Sequence, residues 1–392
     1  MTPPAQPPVS TSTLSVMLDP SSPSRRLVNA NTTGNILTRL RFDADGEAIN
    51  VTQLGLQLSY TNLNSPVDLA RVTLWADDSG TLVGEVIFTS DYATATISGF
   101  TVPSDSYRIM AIKGDIAAIG TADPARPGHL VAVDYDAAAG DSSGNSTRGI
   151  AASGLPVYAI PIGNANDTRS SGVRIFKSIP TLARLSVPSL GLVNGSDRIL
   201  YRFSVTAPST GSVGLYKFTF GISTTTSGVT SYVVNAFSVH GYSDSAFSQA
   251  AYGNNGRLNS ATAGYNVAVQ DGQNSVVEIY FDPITQSGTN EAIQVPAGQT
   301  RYFELMGTIA NSSATSSTLT VDLRGDEIYN VRDTGETTSA ASFFSSIYSI
   351  HNDFIWSGNS TTTSSVAHPD WANGANVSDL PGAYMAPNIF TP

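Results

Sequence analysis

Hydrophobic alternation is the feature that most limits this chain. Leu14, Val16 and Leu18 alternate with polar residues, as do Leu40, Phe42 and Ala44, and in the second half Ile199, Tyr201, Phe203 and Val205. A period of two places every second side chain on one face of an extended strand, so the pattern builds half-buried β-strands. Tyr216, Phe218, Phe220 and Ile222 alternate as well. Further strands read over 69–75, 82–88, 107–113, 130–135, 233–239, 277–281, 302–306 and 319–323. Ile49 and Val51 alternate, then Leu54, Leu56 and Leu58 resume one residue out of phase, which predicts a β-bulge near Thr52-Gln53. Turn residues punctuate the strands at Asp77–Gly80, Pro103–Asp105 and Asp141–Gly144, the spacing of a β-sandwich. Helical readings are few. Ser245–Tyr252 has room for two turns, and Phe343, Ile347 and Ile350 have helical spacing among serines that disfavour a helix.

An internal repeat sets the domain count. Thr101-Val102-Pro103-Ser104 aligns with Gln294-Val295-Pro296-Ala297, and Gly114-Asp115-Ile116-Ala117 with Gly307-Thr308-Ile309-Ala310, both 193 residues apart. Val133-Asp134 resembles Val321-Asp322, Thr13–Val16 echoes Arg184–Val187, and Arg41-Phe42 echoes Arg202-Phe203. Pro opens a tight turn in each copy, an alternating strand follows, and the glycine ends or bulges that strand. Two copies at a long period are a tandem of domains and not a solenoid. The expectation is an all-β chain of two tandem Ig-like or jelly-roll-type β-sandwich domains. A Pro/Ser/Thr-rich arm spans 1–13, the first sandwich 14–165, a linker 166–181, the second sandwich 182–350, and an extended tail 351–392.

Composition excludes several functions. Charged residues make up 13%, the net charge is -11, and Lys113, Lys177 and Lys217 are the only lysines. Nucleic-acid binding needs clustered Lys and Arg to displace counterions, and the arginines here are scattered. The absence of cysteine removes disulfides, thiol catalysis and Cys-ligated metals, and leans toward the cell exterior. No apolar run reaches the length of a membrane span. Met1-Thr2-Pro3-Pro4 does not open a signal peptide, which leaves either a leader removed upstream or a cytosolic protein with a Pro-rich start. Lysine on edge strands guards against edge-to-edge pairing, and a β-chain with three lysines has largely given up that guard.

No catalytic motif stands out. His129, His240, His351 and His368 have Ser and Asp neighbours everywhere, so a triad cannot be singled out, and no G-x-S-x-G, Walker or H-E-x-x-H pattern occurs. Glu278 and Glu304 invite a glycosidase pair but sit inside strands, where polar residues ordinarily face solvent. No cofactor is required. Calcium is the one metal left open, because it takes oxygen ligands: Asp43, Asp45 and Glu47 flank a glycine turn, and Asp134, Asp136 and Asp141 form a second cluster. Asn-x-Ser/Thr sites such as Asn31, Asn50, Asn145, Asn166 and Asn194 are no more frequent than this composition produces by chance.

The closing segment reads Asn352-Asp353-Phe354-Ile355-Trp356-Ser357-Gly358-Asn359-Ser360-Thr361-Thr362-Thr363, then Asp370-Trp371-Ala372-Asn373-Gly374 and Leu380-Pro381-Gly382. It resembles the end of large surface proteins of candidate phyla radiation bacteria (Patescibacteria, Parcubacteria). Leu14–Ser24 is similar to that family's first strand. The resemblance implies secretion and display at the cell surface, implies no enzymatic activity and hands over no catalytic residues. Two functions stay open. One is a self-assembling layer or filament subunit, a homo-oligomer or polymer joined through its terminal arms, with Trp356, Trp371, Leu14 and Val16 as candidate interface residues. The other is a surface adhesin or carbohydrate-binding module, with Tyr242, Tyr252 and Tyr265 as a platform for surface glycans. Trp356 and Trp371 either pin the tail onto the second sandwich or dock into a neighbouring subunit.

Overall fold

A computed structural model describes residues 12–123, 125–138, 147–225, 232–260, 265–284, 291–312, 316–329, 352–360, 366 and 370–392. Asp141, Asn145, His351, His368, the helical reading at Phe343–Ile350 and all but the end of the N-terminal arm lie outside them. The described chain is nearly all β, with three single 3-10 turns, and divides into two compact units, Met1–Phe176 and Lys177–Pro392.

Unit one holds β1 (Thr13–Leu18), β2 (Arg26–Asn29), β3 (Asn35–Asp45), β4 (Ile49–Leu58), β5 (Leu69–Ala76), β6 (Thr81–Val86), β7 (Tyr92–Val102), β8 (Ser106–Ile116), β9 (Leu130–Val131), β10 (Val133–Tyr135), β11 (Arg148–Ala151), β12 (Pro156–Tyr158) and β13 (Val173–Phe176). One sheet runs β1-β3-β8-β5-β6, and a second centres on β4, with β10, β11 and β7 pairing to it and β12 beyond β11. Their inner faces share one core, in which Phe42 of β3 meets Phe100 of β7 edge-on at 5.2 Å. The bulge predicted near Thr52-Gln53 appears as a register shift between Val51 and Gln53.

Unit two holds β14 (Thr181–Leu185), β15 (Gly195–Thr206), β16 (Val213–Thr225), β17 (Val233–Tyr242), β18 (Ala268–Gln270), β19 (Asn274–Tyr280), β20 (Ile293–Val295), β21 (Thr300–Ala310), β22 (Thr318–Leu323), β23 (Ile355–Ser357), β24 (Trp371–Ala372) and β25 (Asn388–Phe390). Its first sheet runs β14-β15-β21-β17-β18, and its second centres on β16, which pairs with β19, β20, β22 and β23. Phe203, Phe218, Phe281 and Phe303 interlock between the sheets at 4.8–5.3 Å. Each unit is therefore a β-sandwich.

The two main sheets share their strand order, apart from β25 beyond β22 in unit two and a separate sheet β2-β13-β9 in unit one, and the repeat sits in matching register. Val102 faces Ile49 and Val295 faces Val213; Asp134 faces Gln57 and Asp322 faces Gly221. Two of the weaker echoes fail. Leu40 faces Met110, and Phe203 faces Phe303, 193 residues beyond Met110, so Phe203 corresponds to Leu40 and not to Phe42. Likewise Val16 faces Phe42 as Leu182 faces Val205, so Thr13–Val16 does not correspond to Arg184–Val187. Alternation repeats every two residues and cannot distinguish registers that differ by two.

The repeated glycines have a packing role. Gly114 and Gly307 lie within β8 and β21 and do not end them. A Cβ on Gly114 would stand 2.8 Å from Leu37 and 3.0 Å from Leu69; one on Gly307 would stand 2.9 Å from Leu200. Replacing either by alanine is expected to cost about 1–3 kcal/mol by overpacking, read as a lower urea midpoint at unchanged slope.

Two expected boundaries and one local reading change. The span expected as linker contains β13, fully buried and paired parallel to β2. The tail is not an appendage: β23 joins β16 directly, β24 joins β23, and β25 joins β22. Ser245–Tyr252 is not helical, because Asp244 accepts the amides of Ser248 and Gln249 in a turn and Phe247 holds φ 56°.

Candidate functional site

The acidic loop disperses its carboxylates. Arg41 donates to both oxygens of Asp43 (2.6–3.1 Å) while lying over the Tyr107 ring at 4.0 Å. Asp45 accepts the Thr13 hydroxyl at 3.3 Å. Glu47 accepts the Ser153 amide at 2.7 Å and the hydroxyls of Ser153 and Ser12, and the amide foremost holds it below the usual carboxylate range. Among the described residues no three His, Cys, Asp or Glu side chains converge. Asp43, Asp45 and Glu47, the trio left open for calcium, thus hold three separate pairings. Asp134 of the second cluster is buried and accepts from Ser59 and from the amide and hydroxyl of Ser170; burial still pushes its carboxyl up. Asp136 accepts the Ala138 amide at 3.0 Å.

The titratable candidates among the described residues are engaged by their neighbours. His129 Nδ1 lies 2.7 Å from Asp68 Oδ2, both buried, and Asp68 also accepts the Ser65 amide at 3.0 Å. His240 is held below its ordinary range by burial. Glu304, 2% exposed, accepts from Arg202 Nε at 3.0 Å and from the Tyr242 hydroxyl at 2.8 Å. Phe247 covers the Arg202 guanidinium at 3.8 Å. Glu304 and Glu278 have different partners, since Glu278 pairs with Lys217.

The three tyrosines proposed as a glycan platform are each engaged separately. Tyr242 is bound to Glu304, Tyr252 donates to the Gln294 carbonyl at 3.0 Å, and Tyr265 lies under Arg257 at 4.8 Å. Trp75 is also covered, by Lys113 at 4.3 Å.

The candidate interface residues turn inward. Leu14, Trp356 and Trp371 have no exposed surface and Val16 is buried. Trp356 stands opposite Leu215 and donates Nε1–H to the Asn373 carbonyl at 2.7 Å. Trp371 packs at 5.6 Å from Tyr216 in a small cluster with Ile355, Tyr280 and Val366. Burial inside the sandwich removes each of these side chains from water, and the alternation already placed Leu14 and Val16 on the core face.

Two features had no sequence signal beyond local irregularity. In unit two a cavity of about 230 Å³ opens where β15 bulges between Gly195 and Arg198, bordered by Ser189, Asp197, Arg198, Leu200 and Phe390. Asp197 there holds φ 54°. In unit one Ile150, Tyr158, Ile160 and Ile162 are each about half exposed.

No family model and no curated protein matches the chain. Among solved structures, a protein titled BspA_C_mut aligns over 80% of this chain and 93% of its own, at 9% identity and a TM-score of 0.19. The collagen adhesin of S. aureus aligns over 79% and 85%, at 11% identity and 0.15. The Pleurotus ostreatus lectin aligns over 80% and 81%, at 10% identity and 0.16. At TM-scores this low the likeness says nothing of activity, ligand or partner. Among the described residues no helix is long and apolar enough to cross a membrane.

Proposed function

We propose that the chain is a non-enzymatic structural protein of the cell exterior, a self-assembling subunit of a surface layer or filament. The observation that carries this is the apolar strip on unit one. Arg148 stands opposite Tyr158 and Ile150 opposite Pro156, so Ile150, Pro156 and Tyr158 share the exposed face of β11 and β12, and the chain runs on into Ile160. The matching strands of unit two, β23 and β24, have that face covered, with Ile355 and Trp371 buried. Over these two strands the second sandwich is covered by its own tail, whereas the first leaves its apolar side chains about half exposed. Contiguous exposed apolar surface is stabilised by a partner, and a second copy is a partner that any solution of the chain supplies. The low lysine content and the resemblance of the closing segment to bacterial surface proteins support the same reading. Sedimentation velocity and electron microscopy of the purified chain test it. The native chain is expected to assemble with rising concentration, and the double variant Ile150→Asp, Tyr158→Asp to remain monomeric with an unchanged circular-dichroism spectrum. A native chain that stays monomeric throughout refutes it.

The cavity at the β15 bulge favours a second reading, a surface adhesin or carbohydrate-binding module. Its lining combines the exposed Asp197 and the part-buried Arg198 with the buried Leu200, Ile309 and Phe390, a polar-and-apolar pairing suited to a sugar ring. A glycan array read with the native chain and with Arg198→Ala decides it. Binding lost in the variant supports this reading, and an array without a binder removes it.

A further inference from the structure

We propose that assembly runs head to tail: the Tyr158 side chain of unit one in one copy enters the cavity at the β15 bulge in unit two of the next, and Arg148 beside it pairs with Asp197. The inference rests on the reading of the chain as a self-assembling subunit, and it names the second surface of that contact. The two surfaces are complementary in shape and in charge.

The first surface lacks a carboxylate. Arg148 and Tyr158 stand opposite each other on β11 and β12, as do Ile150 and Pro156. Their rows continue across β4 and β7, the first into Gln53 and Thr96, the second into Asn50 and Thr101. Residues directly opposite in a ladder share a face, so these two rows carry one charge, the Arg148 guanidinium, in a chain of net charge -11. Tyr158 and Ile150 are 50% and 45% exposed on them. A two-fold contact of this face with its own copy would match the rows against themselves. Two guanidiniums would then leave water with no carboxylate in the rows to receive them, and an unpaired charge is costly to desolvate. The favoured partner surface is a different one, which offers a carboxylate and an apolar recess.

The β15 bulge has both. Its cavity of about 230 Å³ is lined by Leu200, Ile309 and Phe390, each buried. That is smaller than the ~300–1,000 Å³ of pockets that enclose whole ligands, and it has room for one aromatic ring. Asp197 at the same bulge is exposed, and among the described residues neither Asp197 nor Arg148 forms an ion pair. Arg198 of the lining can donate to the oxygen of a tyrosine hydroxyl. Leu190 and Val193, 47% and 52% exposed, lie on either side of Gly191 of the lining in sequence and extend the apolar contact towards Ile150 of the neighbour. Tyrosine in a recess beside a paired arginine is the composition of an interface anchor. Because the two surfaces differ, each copy donates with one and accepts with the other, and the contact repeats until a ring closes or a filament extends.

Complementation between two variants of the full chain, read by sedimentation velocity, tests the proposal. Ile150→Asp with Tyr158→Asp removes the first surface and keeps the cavity. Ser189→Trp, at an exposed residue of the lining, fills the cavity and keeps the first surface. Each is expected to stay monomeric alone, and an equimolar mixture to form a one-to-one dimer that grows no further. A native chain that stays monomeric overturns this inference together with the reading it rests on. A native chain that assembles while Ser189→Trp assembles at the same concentration overturns the inference alone, as does a mixture that stays monomeric. Where Ser189→Trp loses the folded circular-dichroism spectrum, Asp197→Asn is the second cavity variant, since asparagine tolerates the φ of 54° held there. Asp197→Asn and Arg148→Ala are each expected to raise the concentration needed for assembly about two- to fivefold, and the two together no further than one alone. Additive effects overturn the pairing of Arg148 with Asp197.

Discussion

Replacing Trp356 by alanine is expected to destabilise unit two by about 3–5 kcal/mol. Trp356 has no exposed surface, faces Leu215 across the β16–β23 ladder, and is tied to the Asn373 carbonyl through its indole N–H. Alanine would leave a cavity that the two sheets cannot close and a buried carbonyl short of one donor. Neighbouring Phe354 stacks on Phe218 at 5.4 Å, so the damage reaches the aromatic centre of the sandwich. For a unit of this size the loss corresponds to a fall in melting temperature of about 10 °C. The control is Trp75→Ala in unit one, a half-buried ring on the outer face of β5 whose N–H meets the Thr73 hydroxyl at 2.9 Å. Thermal melts followed by far-ultraviolet circular dichroism should show a large fall for Trp356→Ala and a small one for Trp75→Ala. Equal melting temperatures for native chain and Trp356→Ala would mean that the tail is not part of the sandwich.

Strands were legible because their signal is local. Alternation located β3, β5, β8, β15 and β21, and the phase slip after Val51 located a bulge before any partner strand was known. The blocks at Pro103 and Gly114 were informative because tight turns and close packing tolerate few residue types, whereas Arg41-Phe42 is an ordinary strand pair and misled by two positions. The β13 strand was read as linker because its four residues pair with a strand about 150 residues earlier, a contact that no local pattern records. The three tail strands have two or three residues each, too few to show a period. The separate pairings of the acidic loop were hidden for a related reason. Spacing shows which carboxylates are close in sequence, but Arg41, Thr13 and Ser153 reach them through sheet pairing and turns. The buried Lys217 was hidden by the bulge that set it beside Tyr216.

Acid is expected to strengthen unit two, and Asp326 should dominate the effect. Its carboxylate is 2% exposed and accepts three backbone amides of the tail: Asp353 at 2.9 Å, Gly374 at 2.7 Å and Phe354 at 3.2 Å. Burial outweighs those bonds, with Asp353 nearby adding repulsion, and Asp326 is pushed up to about 7 from an ordinary 3.8. Below the ordinary value the group is neutral in both folded and unfolded chains, and its contribution is fully present. As pH rises toward 7 the unfolded chain ionises first, so stability is lost progressively, by a total of about 4 kcal/mol. Asp322 and Asp353 are raised by burial and act in the same direction, Arg324 opposing at both and Lys217 at Asp353. Asp244 of the same unit is lowered instead, so its contribution is present above the ordinary carboxylate range and lost only in stronger acid. Stability should therefore peak near the ordinary carboxylate range and fall toward neutrality. Melting curves between pH about 5 and about 8 measure the slope. Asp326→Asn should flatten it while lowering stability at the acid end by about 1–3 kcal/mol, because an amide N–H2 then meets a backbone donor. A native chain whose melting temperature rises over that pH range, or an Asp326→Asn chain with the native slope, would show that the tail is held without the burial cost assigned to Asp326.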